Sequence, residues 1–203
     1  MGTSVSPCLR VGSGGRLDEF WPTPDDDPST WNGVGVTMPG NIGALDFLGC
    51  GDLYRAAEPY SLPALIGQCA FLHTLKFSRC ASLTSLPADI GNCAALITLN
   101  LWRCRFLHTL PVEIGLCGAL CTLDLGSCQA LAFLPTEIGD CANLRTLSLA
   151  DCAALTELPA ALGRCASLQT LDLSDCSALT WLPVWRCRLT LSNPRWKRLE
   201  LNA

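Results

Sequence analysis

The chain has 203 residues, with 14 basic side chains against 18 acidic ones and a formal charge of −4. Hydrophobic residues make up 49% and charged residues 16%, which argues against a largely disordered chain, and the acidic balance argues against nucleic-acid binding through bulk electrostatics. Only His73 and His108 are available as imidazoles, so a His-rich metal site or a Ser/His/Asp site is poorly supplied.

Residues 1–37 are rich in Gly, Ser, Pro and Asp, including Pro24-Asp25-Asp26-Asp27-Pro28. They read as a flexible N-terminal arm, with order beginning near Trp31. Residues 1–20 carry no continuous apolar run of the kind that a secretory signal needs. The run Gly12 to Gly15 (GSGG) is not followed by GxxxxGK[ST], so it is no phosphate loop.

Residues 38–61 read as a degenerate capping repeat. Met38-Pro39 and Ile42-Gly43 stand in the register of the repeats that follow, and Leu48 and Leu53 then match Leu72 and Phe77. A stack of repeats needs such a terminal unit to close its core.

Residues 62–181 hold five regular repeats. Leu-Pro recurs at Leu62, Leu86, Leu110, Leu134, Leu158 and again at Leu182, each step being 24 residues without insertion. Ile66-Gly67, Ile90-Gly91, Ile114-Gly115, Ile138-Gly139 and Leu162-Gly163 hold a second column. The unit is LxTLxLxxCxxLxxLPxxIGxCxx. Its Leu-x-x-Leu-x-Leu core places inward apolar positions against outward variable ones and predicts a short strand. The Leu-Pro and Ile-Gly marks end the strand and return the chain. One coil cannot bury its own Leu face, whereas stacked coils can, with strands about 4.8 Å apart. The stretch Leu116–Leu134 carries one charge, Asp124, over a length that could span a bilayer. It lies inside the unbroken repeat and is therefore read as soluble core.

These residues resemble the leucine-rich repeat family over roughly residues 38–181. The Cys column followed by LPxxIG is similar to the repeats of plant intracellular immune receptors. Trp31-Asn32-Gly33-Val34-Gly35-Val36 with Ala44-Leu45-Asp46-Phe47 is similar to the start of plant extracellular repeat proteins, which have Cys where Val36 stands. The resemblance implies an α/β fold: a horseshoe solenoid with a parallel sheet on its concave face and short helices, 3-10 turns or loops on its convex face. It also implies a binding module for signalling or recognition, and not an enzyme.

Ten of the 14 Cys form two columns. Cys80, Cys104, Cys128, Cys152 and Cys176 occupy the family's ladder position, and Cys69, Cys93, Cys117, Cys141 and Cys165 replace a core Leu. Parallel side chains on successive rungs meet disulfide geometry poorly, and no CxxC pair offers a tetrahedral zinc site. Buried, reduced thiols are the main expectation, with disulfides the alternative. Reduced thiols and the missing signal place the chain in the cytoplasm. Cys121 stands off both columns at the edge of the strand face.

Columns that vary between repeats are free to carry recognition, whereas the invariant Thr74, Thr98, Thr122, Thr146 and Thr170 read as sheet support. The varying outward columns give a candidate partner-binding site on the concave face: Lys76, Arg79, Asn100, Trp102, Arg103, Asp124, Arg145, Asp151, Asp172 and Asp175. Its first two repeats are basic and its last three mainly acidic. Trp102 is the expected hydrophobic anchor. The alternative reading of this face is a charged surface kept for solubility.

Residues 182–203 break the register and read as an irregular C-terminal capping segment. Arg186, Arg188, Arg195, Lys197 and Arg198 lie there with Trp185 and Trp196, and Leu199-Glu200-Leu201 could add a strand. No GxSxG, HExxH or paired-carboxylate motif occurs. The expected partner is a protein, with no nucleic acid, membrane insertion, metal or cofactor, and the chain is expected to be a monomer. Two other functions remain open: the substrate-recognition part of a ubiquitin ligase, and a structural or non-functional fragment of a longer repeat protein.

Overall fold

The computed structural model describes residues 34–38, 41–46, 60–61, 64–81, 83–183 and 190–191. Five three-residue strands begin on the invariant Thr column: β4 (Thr74–Lys76), β6 (Thr98–Asn100), β7 (Thr122–Asp124), β8 (Thr146–Ser148) and β9 (Thr170–Asp172). They pair in parallel, and each register step is one 24-residue coil: Leu75 faces Leu99, then Leu123, Leu147 and Leu171. The remaining strands are β1 (Val34–Met38), β2 (Asn41–Asp46), β3 (Tyr60–Ser61), β5 (Leu83–Ser85) and β10 (Thr190–Leu191). The main sheet runs β1-β2-β4-β6-β7-β8-β9-β10, antiparallel only at β1–β2. β3 and β5 make a separate parallel pair.

Three residues are few for a strand, and the pairing continues beyond them. The amides of Leu101 and Arg103 donate to the carbonyls of Asp124 and Gly126 on the next coil, both at 2.7 Å. The same two bonds recur from Phe77 and Arg79 and from Leu125 and Ser127. Each coil is thus tied to the next beyond the strand itself, which satisfies main-chain groups that would otherwise be buried without partners.

The return path is a 3-10 turn in five coils: Ala64–Gln68, Ala88–Asn92, Val112–Leu116, Thr136–Asp140 and Ala160–Arg164. All the helical segments among the described residues are of this kind, at the tight end of what the resemblance implied. Pro87, Pro111, Pro135 and Pro159 precede four of them in extended conformation, where the fixed φ of proline fits and its missing N–H costs nothing. The glycine of the Ile-Gly column is needed for close stacking. A Cβ on Gly115 would stand 2.6 Å from the carbonyl oxygen of Glu137 in the next turn.

The core is one continuous stack. The inward Leu and Ile columns and the buried Cys columns form a single cluster from Leu45 to Leu179. At roughly 25 cal/mol per Å² of buried apolar surface, these columns dominate the folding free energy. The apolar stretch Leu116–Leu134 runs through the end of one turn, β7 and the following loop. Among the described residues no helix is long and apolar enough to cross a membrane.

Two registers differ from the sequence expectation. A constant 24-residue step would set Gly51 opposite Leu75. The structure instead pairs Leu45 with Leu75, and Ala44 and Asp46 with Thr74 and Lys76. Ile42-Gly43 accordingly lies within β2 and not in a return turn. Leu45 offers the apolar inward side chain that Gly51 lacks, so the first coil is longer. At the other end Thr190 and Leu191 pair with Thr170 and Leu171, which makes the last coil shorter by four residues. Leu199-Glu200-Leu201 lies outside the described residues, as do Cys8, Cys50, Cys187 and the basic positions Arg186, Arg188, Arg195, Lys197 and Arg198.

Candidate partner-binding face

The alternation of each strand turns Leu99, Leu123, Leu147 and Leu171 inward and leaves the residues on either side half-exposed. The mid-strand column therefore reads Lys76, Asn100, Asp124, Ser148 and Asp172 across the outer face, in direct register.

Much of this column is occupied within the chain. Lys76 donates to Asp46 on β2 at 3.2 Å. The side-chain oxygen of Asn100 accepts the amide of Trp102 and the hydroxyl of Ser78, both at 2.9 Å, and its Nδ2 donates to Asp124. Asp124 also accepts the amide of Gly126 at 3.0 Å, and Asp172 accepts the amide and the hydroxyl of Ser174 at 3.0 and 2.6 Å. These are Asx turns, in which a short side chain binds the amide two residues on. The sequence places these residues on the recognition face, and the structure also uses them to turn the chain out of its strand.

The next column is exceptional in its backbone. Arg79, Arg103, Ser127, Asp151 and Asp175 all have positive φ, between 59° and 67°. Asp tolerates this left-handed region, whereas Arg and Ser have no such preference and are strained there by about 1 kcal/mol or more. No shared residue type marks this column, so it cannot be read from the sequence. In four of the five the conformation points the amide at the neighbouring coil: Asp151 donates to Ser174 at 2.7 Å, as Arg79 does to Trp102.

Trp102 is half-buried and lies across the sheet. Its Cδ1 would be 3.0 Å from a Cβ on Gly126, so the ring rests where glycine leaves room. The guanidinium carbons of Arg79 and Arg103 stand 5.1 and 4.5 Å from its ring centroid, within cation–π range. The three residues that the sequence assigns to the basic end are thus one packed unit. At the other end Asp151 and Asp175 occupy the same column on successive coils, Asp151 half-buried and Asp175 exposed, and Arg145 is exposed ahead of β8.

Behind this face the two Cys columns form parallel ladders. Cys104, Cys128, Cys152 and Cys176 donate their thiols to carbonyls of the preceding coil at 3.0–3.2 Å. Cys93, Cys117, Cys141 and Cys165 do the same at 3.2–3.3 Å. The second column, read from sequence as a plain substitute for Leu, is therefore a second hydrogen-bonded ladder. None of the eleven described cysteines is in a disulfide, and Cys121 is half-buried outside both ladders. Among the described residues no group of three or more His, Cys, Asp or Glu side chains could hold a metal ion.

A 24-residue Leu periodicity, one parallel strand per coil and a Cys ladder closing each strand leave one architecture. The chain is a leucine-rich repeat solenoid. No family model and no curated protein matches it. Solved structures similar to this solenoid include the leucine-rich repeat domain of the type III effector XopL, at 25% identity and TM-score 0.46, covering 64% of this chain and 56% of that one. The ectodomain of the receptor kinase SOBIR1 from Arabidopsis thaliana is similar at 20% identity and TM-score 0.49, covering 82% and 86%. A plant ice-binding protein is similar at 17% identity and TM-score 0.48, covering 83% and 64%. The solenoid spans about half the length of the XopL domain.

Proposed function

We propose that this solenoid is a protein-binding module that holds its partner across the outer face of the parallel sheet. The observation that carries the reading is the Arg79–Trp102–Arg103 unit: two guanidiniums fixed over one indole on a face where Asn100, Asp124 and Asp172 are bound within the chain. Trp and Arg dominate the energetics of protein interfaces, and side chains already held in place lose less entropy on binding. An acidic part of the partner lies over this end and a basic part over Asp151 and Asp175. Charge complementarity of this kind sets orientation and association rate more than affinity. The lack of a bilayer-spanning helix among the described residues is compatible with this role, and the reduced ladders favour a cytoplasmic setting. A role in signalling or recognition belongs to the same reading.

The test is affinity capture from the source cell. The native chain is run beside a variant carrying Arg79→Glu, Arg103→Glu, Asp151→Lys and Asp175→Lys, with circular dichroism as the check on folding. A protein held by the native chain and lost by the variant supports the assignment. Equal capture by both removes the sheet face from consideration.

A further inference from the structure

Within the proposed binding face, the basic end has a composition that favours one ligand chemistry. Arg79 and Arg103 sit at the same position of consecutive coils, each held by a positive φ and each stacked on the same indole. Neither forms an ion pair among the described residues, where the two salt bridges are Lys76–Asp46 and Arg164–Asp140. The nearest acid of the mid-strand column, Asp124, is engaged by Asn100 and by the amide of Gly126. Two positive charges are thus held around one ring with no acidic partner among the described residues, and an anionic group of the partner would offset their mutual repulsion.

We infer that this unit is a subsite for a phosphorylated side chain of the partner polypeptide. A phosphate monoester carries nearly two negative charges at neutral pH and three strong acceptor oxygens. Its charge matches that of the two guanidiniums together, whereas a single carboxylate carries about half of it. Guanidinium forks match phosphate geometry, and a lysine pair would not reproduce that match. The indole contributes as a platform that holds the two guanidiniums. This inference rests on the sheet face being the binding face, and the experiment separates the two.

Degenerate peptide libraries with a fixed central phosphoserine, phosphotyrosine, Glu or Ala are passed over the immobilised full chain and over the Arg79→Lys/Arg103→Lys variant. The native chain should retain the phosphorylated libraries on the order of tenfold better than the Glu library, the worth of an added charge-assisted hydrogen bond. The lysine variant should lose that preference while keeping a weaker one for negative charge. Equal retention of Glu and phosphorylated libraries, or the same preference in the lysine variant, overturns the phosphate assignment. In parallel, the partner from the capture experiment is treated with phosphatase. Loss of capture supports the subsite. Capture that survives phosphatase but is abolished by Arg79→Glu/Arg103→Glu overturns it and leaves the binding face standing.

Discussion

The thiol of Cys128 donates to the carbonyl of Leu101 at 3.2 Å, on an oxygen that already accepts the amide of Cys104 at 3.0 Å. The arrangement repeats along both ladders: the carbonyl of Ile90 takes the amide of Cys93 at 3.0 Å and the thiol of Cys117 at 3.3 Å. Each such oxygen joins a turn within its own coil to a side chain of the next. Cys128→Ala removes that link and leaves a small cavity, and should cost about 1–2 kcal/mol in urea unfolding. Cys128→Ser restores a donor, stronger than S–H though smaller in volume, and should cost less than the alanine. Equal losses would mean that the cysteine contributes volume alone.

The same burial makes the fold sensitive to alkali. Burial pushes the thiol of Cys104 up to about 12 from an ordinary value near 9. Burial, and then the neighbouring thiols, do the same to Cys93 and Cys141, both to about 12, and burial takes Cys117 to about 11. The folded state therefore binds these protons more tightly than the unfolded state. Stability should be unaffected by them below pH 9 and should fall as pH rises from 9 towards 12. Urea midpoints across this range check the sign. A Cys104→Ser/Cys117→Ser variant should show a shallower decline, and an identical slope would remove the thiols as its cause.

The repeat is legible because its signal is redundant: the Leu75-to-Leu171 column, the Leu-Pro marks and the Ile-Gly marks all report one period. What escapes depends on geometry that residue types do not encode. The positive φ at Arg79, Arg103 and Ser127 is imposed by the coil, and Arg and Ser do not announce it. The second thiol ladder needs the carbonyl of the preceding Ile, whose direction is set by the 3-10 turn. At the ends, only one period of evidence is available. A longer first coil shifts Leu45 into the place expected for Gly51, and a shorter last coil hides Thr190-Leu191, although that pair repeats the Thr-Leu of β4 and β6 to β9. On the outer face, comparison of the repeats locates the variable columns but does not distinguish Asp124, bound within an Asx turn, from Arg103, which is held over an indole.

Glycine positions separate packing from backbone freedom. Gly115→Ala drives a methyl to within 2.6 Å of the Glu137 carbonyl oxygen, and forcing neighbouring turns apart should cost about 1–3 kcal/mol. A methyl placed on Gly118 would meet nothing within 4 Å, so Gly118→Ala should be neutral or stabilising by about 0.4–1 kcal/mol through the unfolded chain. Thermal melts of the two variants should therefore diverge, with Gly115→Ala melting lower and Gly118→Ala at or above the native chain. A shared destabilisation would contradict the close stacking of the turns.

Leu147 is fully buried between Leu123 and Leu171 in the middle of the solenoid. Leu147→Ala should cost on the order of 2–5 kcal/mol, because the neighbouring rungs are fixed by main-chain bonds and cannot collapse into the space. Urea unfolding measures this directly. A loss below about 0.5 kcal/mol, the range of surface substitutions, would contradict the inward placement of the column.

The left-handed column separates stability from recognition. Ser127 is held at a φ of 59°, a conformation that Asn adopts far more readily. Ser127→Asn should therefore raise stability by up to about 1 kcal/mol. At Arg79 and Arg103 the same exchange relieves the backbone but removes two cation–π contacts, each worth about 0.5–1 kcal/mol at such a site. Arg79→Asn/Arg103→Asn should leave the urea midpoint nearly unchanged while abolishing capture of the partner. If stability fell by several kcal/mol and the partner were still bound, the arginines would be holding Trp102 for the sake of the fold. The expected pattern, unchanged stability with lost binding, would mean that two residues ill-suited to their backbone are retained for what they hold outside the chain.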